Sequence, residues 1–217
     1  MNYSRNSPSP RYAELQVQYR AMHERGEPFL GIPPEQTFPG SSLPPQAGRI
    51  KKLVERTAAR TLLDYGSGKG RAYELPVIKD DAGGEWPGIL EFWGVENVEC
   101  YDPGYPPFSR LPQGRFDGVI STDVLEHCPE DDIRWIVEEI FGYATRFVFA
   151  NVACYPARKR LPTGENAHCT IKPDAWWRAI FEEAAARHPE LLWQAWIDAR
   201  VETPQGPKRV ESKIGNA

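Results

Sequence analysis

Thr61-Leu62-Leu63-Asp64-Tyr65-Gly66-Ser67-Gly68-Lys69-Gly70 is a short apolar run that ends in a carboxylate and is followed by glycines at alternate positions. Leu62 and Leu63 read as a buried strand that leaves its sheet at the carboxyl edge. Glycine suits the turn that follows, because a backbone at φ > 0, brought close to a ligand, leaves no room for a Cβ. Two phosphate-binding patterns fail on inspection. A P-loop needs Ser or Thr directly after its Gly-Lys, and Lys69 is followed by Gly70. The dinucleotide fingerprint Gly-x-Gly-x-x-Gly breaks at Arg71, where its third glycine belongs. What is left is Asp-x-Gly-x-Gly-x-Gly, and the plain alternative is a tight strand-to-helix turn that holds no ligand.

Two further stretches stand in order behind this loop. Val95-Glu96-Asn97-Val98-Glu99-Cys100-Tyr101-Asp102 reads as a second strand that also ends in a carboxylate, before Pro103-Gly104. Phe116-Asp117-Gly118-Val119-Ile120-Ser121-Thr122-Asp123-Val124-Leu125-Glu126-His127 reads as a third, running into a polar cluster. The loop from Asp64 to Gly70 resembles motif I of the class I S-adenosylmethionine (SAM) methyltransferases. The segment 116–127 resembles the strand-four segment shared by many of their small-molecule members.

The resemblance implies a fold, a cofactor and a set of contacts. The fold is α/β, a Rossmann-like doubly wound sheet with an antiparallel C-terminal hairpin strand. Residues 1–47 would form an N-terminal tail and helical cap, and 48–217 the methyltransferase domain. SAM would lie against Asp64, Gly66, Ser67, Gly68, Gly70, Thr122 and Asp123, with its ribose on Asp102. A carboxylate suits a cis-diol because its two oxygens accept from both hydroxyls. A turn aspartate capping the bend before Pro103 is the structural alternative. Residues 103–115 are too few for the family's next helix, third strand and adenine-contacting acid, so no adenine residue is assigned.

Composition narrows the partners. A chain of 217 residues, 41% hydrophobic, buries one good-sized core. A formal net charge of −4 argues against a broad nucleic-acid footprint. The four cysteines, Cys100, Cys128, Cys154 and Cys169, form no C-x-x-C pair and read as reduced thiols. Met1 to Pro10 is polar, without the apolar stretch of a signal peptide, and is expected to be disordered. No apolar run is long enough to span a membrane. The expectation is a cytoplasmic protein acting on a small-molecule substrate.

Along the chain, Tyr12, Leu15, Tyr19 and Met22 share one helical face over 11–25, and Gly26-Glu27-Pro28 ends that helix. A Pro/Gly-rich loop packed on the body is expected over 26–47. A helix over 46–60, a helix starting after Gly70 and an insertion loop over 80–94 follow. Pro129 and three acids open a helix whose stripe is Ile133, Ile136, Val137, Ile140 and Phe141. Residues 146–152 form a strand, Pro173-Asp174 opens a helix, and 191–203 with 208–214 close the chain as a hairpin.

The acceptor chemistry is expected beyond strand four. Methyl transfer from a sulfonium demands alignment and exclusion of water, and an alcohol acceptor must lose its proton. His127 and His168 are the candidate catalytic residues, since histidine is poised near neutral pH. Bracing of the loop by hydrogen bonds is the alternative for His127. Glu126, Arg158, Arg160 and Asn166 are the candidate substrate contacts, Arg158-Lys159-Arg160 being a basic loop suited to a phosphate or carboxylate. Asp123, Glu126, His127 and His168 also resemble the metal-binding set of the plant small-RNA 2′-O-methyltransferases and, in part, of the ubiquinone-pathway O-methyltransferases. Mixed O/N ligands would take Mg²⁺, Mn²⁺ or Fe²⁺. Ligand-type residues beside a cleft are common without an ion, so no metal is assigned. The overall expectation is a SAM-dependent methyltransferase acting on oxygen or nitrogen of a small polar metabolite such as a sugar, nucleotide or phenolic precursor. A metal-assisted RNA 2′-O-methyltransferase and a non-catalytic SAM-binding module are the rivals.

Overall fold

The computed structural model describes residues 3–80, 83–203 and 206–217. Ser9 caps the first helix, α1 (Pro10–Arg25): its hydroxyl accepts from the Tyr12 N–H at 3.0 Å, and Pro10 follows at the first turn, where its missing N–H costs nothing. Gly26, at φ 86°, ends it. Helix α2 (Ala47–Thr57) leads into strand β1 (Thr61–Tyr65). A small hairpin, β2 (Ile78–Lys79) with β3 (Glu85–Trp86), precedes the short helix α3 (Ile89–Trp93) and strand β4 (Asn97–Tyr101). Then come β5 (Phe116–Thr122), α4 (Glu130–Tyr143), β6 (Ala144–Cys154), α5 (Asp174–Ala185), β7 (Leu192–Thr203) and β8 (Gly206–Gly215).

Six strands form one sheet in the order β4-β1-β5-β6-β7-β8. Every neighbouring pair is parallel except β7 and β8, which are antiparallel. The molecule is therefore α/β, with a mostly parallel sheet and an antiparallel hairpin at one edge. Adjacent residues of a strand face opposite ways, which divides the core in two. Leu63, Val119 and Val148 meet Ile136 and Val137 of α4 and Trp177 and Phe181 of α5. Leu62, Ile120 and Phe149 meet Ile50 and Leu53 of α2 and Phe92 and Trp93 of α3. Each such buried side chain contributes about 1.5–3 kcal/mol relative to exposure.

Parallel pairing brings the carboxyl ends of the strands together. Tyr65 pairs with Tyr101, and Thr122 with Asn151, so β1, β4, β5 and β6 all end along one edge. The chain leaves that edge through the glycine loop after β1, the Asp102 turn after β4 and the Asp123–His127 turn after β5.

Three expectations need correction. Residues 3–9 are packed on the body, not disordered. Arg5 pairs with Glu139, donates to the Tyr65 hydroxyl at 2.7 Å and lies 4.7 Å from the Trp135 ring, while Ser9 holds Asp132. Polar residues pinned by distant partners have no local signature. After Gly70 only a 3₁₀ turn forms, Arg71–Glu74, because Leu75 is extended before Pro76, as a residue before proline prefers. The stretch 80–94 includes β3 and α3, and Ile89, Phe92 and Trp93 are buried against α2. Between β4 and β5 there is only a 3₁₀ turn, Pro106–Phe108, as the shortness of that segment predicted.

Candidate functional site

A cavity of about 350 Å³ lies over the carboxyl edge, within the size range of small-ligand sites. Its floor is the glycine loop, the Asp102 turn and the segment from Thr122 to Val124; its walls include α1 and residues 38–42. The loop's shape follows from what surrounds it. The Gly66 and Ser67 N–H groups both donate to the Tyr101 carbonyl, at 2.7 and 3.1 Å. Gly66 sits at φ 89°, and a Cβ there would stand 2.4 Å from the Val124 side chain. Gly68 sits at φ 59°, and its Cβ would meet the Phe38 carbonyl oxygen at 2.3 Å. The N-terminal segment is laced to this loop: Lys69 N–H donates to Phe38 O at 2.8 Å and Arg71 N–H to Pro39 O at 3.0 Å. The glycines therefore admit protein backbone and side chain as well as lining the cavity.

Asp102 borders the cavity beside this loop. Its Oδ2 accepts from the Gly68 N–H at 2.9 Å and its Oδ1 from the Gly104 N–H at 2.8 Å. Burial raises its pKa, and these backbone donors work against that rise. The Tyr105 N–H is a third backbone donor to this carboxylate, and the Gly104 bond is that of a turn aspartate capping the bend before Pro103. An ionised carboxylate accepts about four hydrogen bonds, so room remains for one hydroxyl of a ligand. Ser67 and Thr122 line the same end. Asp64 does not: it is buried under the loop, where the Tyr73 hydroxyl donates to its Oδ2 at 2.8 Å. Burial pushes the Asp64 pKa up to about 7, with the nearby Asp102 adding to the rise and Tyr73 opposing it.

The cavity also gathers Asp123, His127 and His168, whose ligand-type atoms all lie within 4.8 Å of one another. The two imidazoles stand edge to face, with centroids 4.7 Å apart. Both have their Nδ1 beside a backbone carbonyl, Ala167 O at 3.0 Å for His127 and Tyr155 O at 2.6 Å for His168. Carbonyls only accept, so each Nδ1 carries the proton and each Nε2 keeps its lone pair. Tyr19 of α1 closes this arrangement: its hydroxyl donates to Ala167 O at 2.7 Å and lies 3.0 Å from His127 Nδ1. Burial, and then the charge interaction with His168, lower the His127 pKa to about 4, and burial lowers that of His168. Both are neutral at neutral pH. Asp123 adopts φ 61°, a left-handed conformation that aspartate tolerates better than most residues.

These three residues could hold a divalent cation, with two imidazole nitrogens and one carboxylate. Glu126 does not line the cavity. It is wholly buried next to Asp123, with its Oε1 accepting from the Ala153 N–H and its Oε2 left without a close partner among the described residues. Burial, followed by the nearby Asp123 carboxylate, pushes its pKa well above the carboxyl range and favours the neutral acid. Glu126 ties the turn after β5 to β6.

The loop after β6 sorts its polar residues. Arg158, Lys159 and His168 line the cavity; Arg160 and Asn166 do not. The Arg160 guanidinium donates to Gly164 O at 3.2 Å. Asn166 staples the loop instead, accepting from Ala157 N–H and His168 N–H, both at 2.9 Å, and donating to Ala157 O. Gly70 also lies outside the lining, packed against Phe108 and Cys100. A helical cap was expected over residues 1–47, but nothing local marks Tyr19 and His23 of α1 as cavity residues, because the spacing of Tyr19 is that of an ordinary buried helical face. All four cysteines are free thiols.

Among the described residues no helix is long and apolar enough to cross a membrane. Compared with known proteins, the chain matches no family model, no curated protein and no solved structure.

Proposed function

We propose that the protein is a SAM-dependent methyltransferase that modifies oxygen or nitrogen of a small polar acceptor. On this reading the sheet is the Rossmann-like, doubly wound sheet of that enzyme class, and residues 1–47 act as a helical cap over the cofactor. One observation carries the proposal. A cavity at the carboxyl edge of a parallel sheet is lined by a glycine loop, a carboxylate, Asp102, and two neutral imidazoles whose Nδ1 atoms face backbone carbonyls.

SAM supplies an electrophilic methyl on a sulfonium. The chain would supply the rest. Asp102 accepts from a ribose hydroxyl, and the loop from Gly66 to Gly68 offers backbone beside the ligand. His127, at its Nε2, would take the proton that leaves the acceptor as the new bond to the methyl carbon forms and the methyl–sulfur bond breaks, with S-adenosylhomocysteine as the leaving product. The Tyr19 hydroxyl keeps the imidazole in that tautomer. Helix α1 and residues 38–42 exclude water from the reacting atoms.

A cation at Asp123, His127 and His168 is the second reading, favoured by the convergence of their ligand atoms. The charge of Lys159 weighs against it, since that ammonium lowers the pKa of both imidazoles and so stands close to the same space. The test is label transfer from methyl-labelled SAM to a metabolite extract, in chelator and with added Mn²⁺. Transfer that survives chelator supports the imidazole mechanism, loss restored by Mn²⁺ supports the cation, and no transfer to any component contradicts the assignment.

A further inference from the structure

Lys159 lines the cavity with a charged head that no side-chain partner neutralises by direct contact among the described residues. Its three N–H donors meet no hydrogen-bond acceptor and no carboxylate at ion-pair distance among the described residues. The ammonium instead lies over the Phe38 ring, 4.6 Å from its centroid. A lysine with no partner ordinarily extends its head into water. This one is drawn inward, half-buried, by a loop that Asn166 and Glu27 hold in place; Glu27 accepts from the Arg160 N–H at 3.2 Å and from the Leu30 N–H at 2.6 Å. The charges that face Lys159 are the carboxylates of Asp123 and Glu27 and, on the other side, the ammonium of Lys69. Phe38 contacts both His127, ring to ring at 6.0 Å, and His23, at 5.2 Å, and the ammonium acts electrostatically on His127, His168 and His23, so it stands over the cavity within reach of the two imidazoles. Arg158, the next residue, is exposed at the lining and likewise has no acceptor for its guanidinium among the described residues. Arg160, by contrast, spends its guanidinium on Gly164 O.

We propose that Lys159, helped by Arg158, binds an oxyanion, a carboxylate or a phosphate, on the molecule that occupies the acceptor end. This deepens the methyl-transfer reading, on which it rests only for the name of that molecule as acceptor. A point-charge ammonium with three unused donors and an adjacent guanidinium match a tetrahedral or planar oxyanion. The anion's place next to His127 implies a compact acceptor, with its nucleophilic O–H or N–H only a few bonds from the charged group.

The experiment needs no SAM, so it stands apart from the outcome of SAM binding. Inorganic phosphate and benzoate are titrated separately into the full chain at low salt and followed by amide chemical shifts. Saturable binding of at least one probe is expected, with shifts at Lys159, His127 and His168. Lys159→Gln and Lys159→Met should each weaken it about tenfold, a change of about 1.4 kcal/mol. Lys159→Arg should bind within about threefold of the wild type, since it keeps the charge. The two neutral variants guard against misfolding of either, and melting temperature identifies the folded one. The probe that binds more tightly names the oxyanion. Binding unchanged in the folded neutral variant, or no binding of either probe to the wild type, overturns the proposal.

Discussion

His127 is held by contacts from two separate segments, the Tyr19 hydroxyl of α1 and the Ala167 carbonyl of the loop after β6. His127→Ala should therefore lower turnover by about a hundredfold or more, the usual worth of a positioned base, while SAM affinity stays near wild type. Tyr19→Phe should produce a smaller fall in kcat with little change in KM, because it loosens the imidazole without touching the acceptor. Single-turnover rates beside calorimetry would check both, and wild-type turnover in His127→Ala would reduce that residue to a brace. Asp64 gives a different prediction. Its folded pKa of about 7 lies above the unfolded value, so its contribution to stability is complete below about pH 4 and is lost as pH rises through 7. Asp64→Asn cannot ionise, so without ligand its melting temperature should gain on the wild type between pH 5 and pH 8. Parallel pH profiles for the two proteins would show that Asp64 is not held neutral by the fold.

Among the elements, the segment before β1 was the hardest to read. The glycine loop and strands β1, β4 and β5 were legible because alternation, glycine at φ > 0 and a terminal carboxylate are local signals. Helix α4 was legible from its apolar stripe and first-turn acids. The packing of residues 3–9 was not, since Arg5 draws its partners from β1 and α4. Nor could the sequence say that Phe38 and Pro39 would bond to the loop after β1, or that Glu126 would accept from Ala153 and not line the cavity. Arg5→Met leaves Glu139, largely buried, without its ion partner and should destabilise the fold by about 1–3 kcal/mol in urea unfolding. Gly68→Val should be more disruptive still, because its side chain would displace the Phe38 backbone. An Arg5→Met protein as stable as the wild type would mean that the tail does not hold the body.

For the molecule as a whole, one sheet edge brings a carboxylate, Asp102, and a pair of neutral imidazoles, His127 and His168, to one cavity. On the proposed function the first serves the cofactor and the second the acceptor, and their variants should fail independently. Removing metal should leave turnover intact, since Lys159 already brings positive charge to the acceptor end. Loss of activity in chelator, restored by Mn²⁺, would transfer the role to a cation at Asp123, His127 and His168. The central claim is that SAM binds along the glycine loop with its ribose on Asp102, and isothermal calorimetry of SAM against the wild type and Asp102→Ala tests it most directly. Saturable one-site binding is expected for the wild type, with a loss of about 1–3 kcal/mol in the folded variant. Absence of binding to the wild type, or equal affinity in the two proteins, would contradict it.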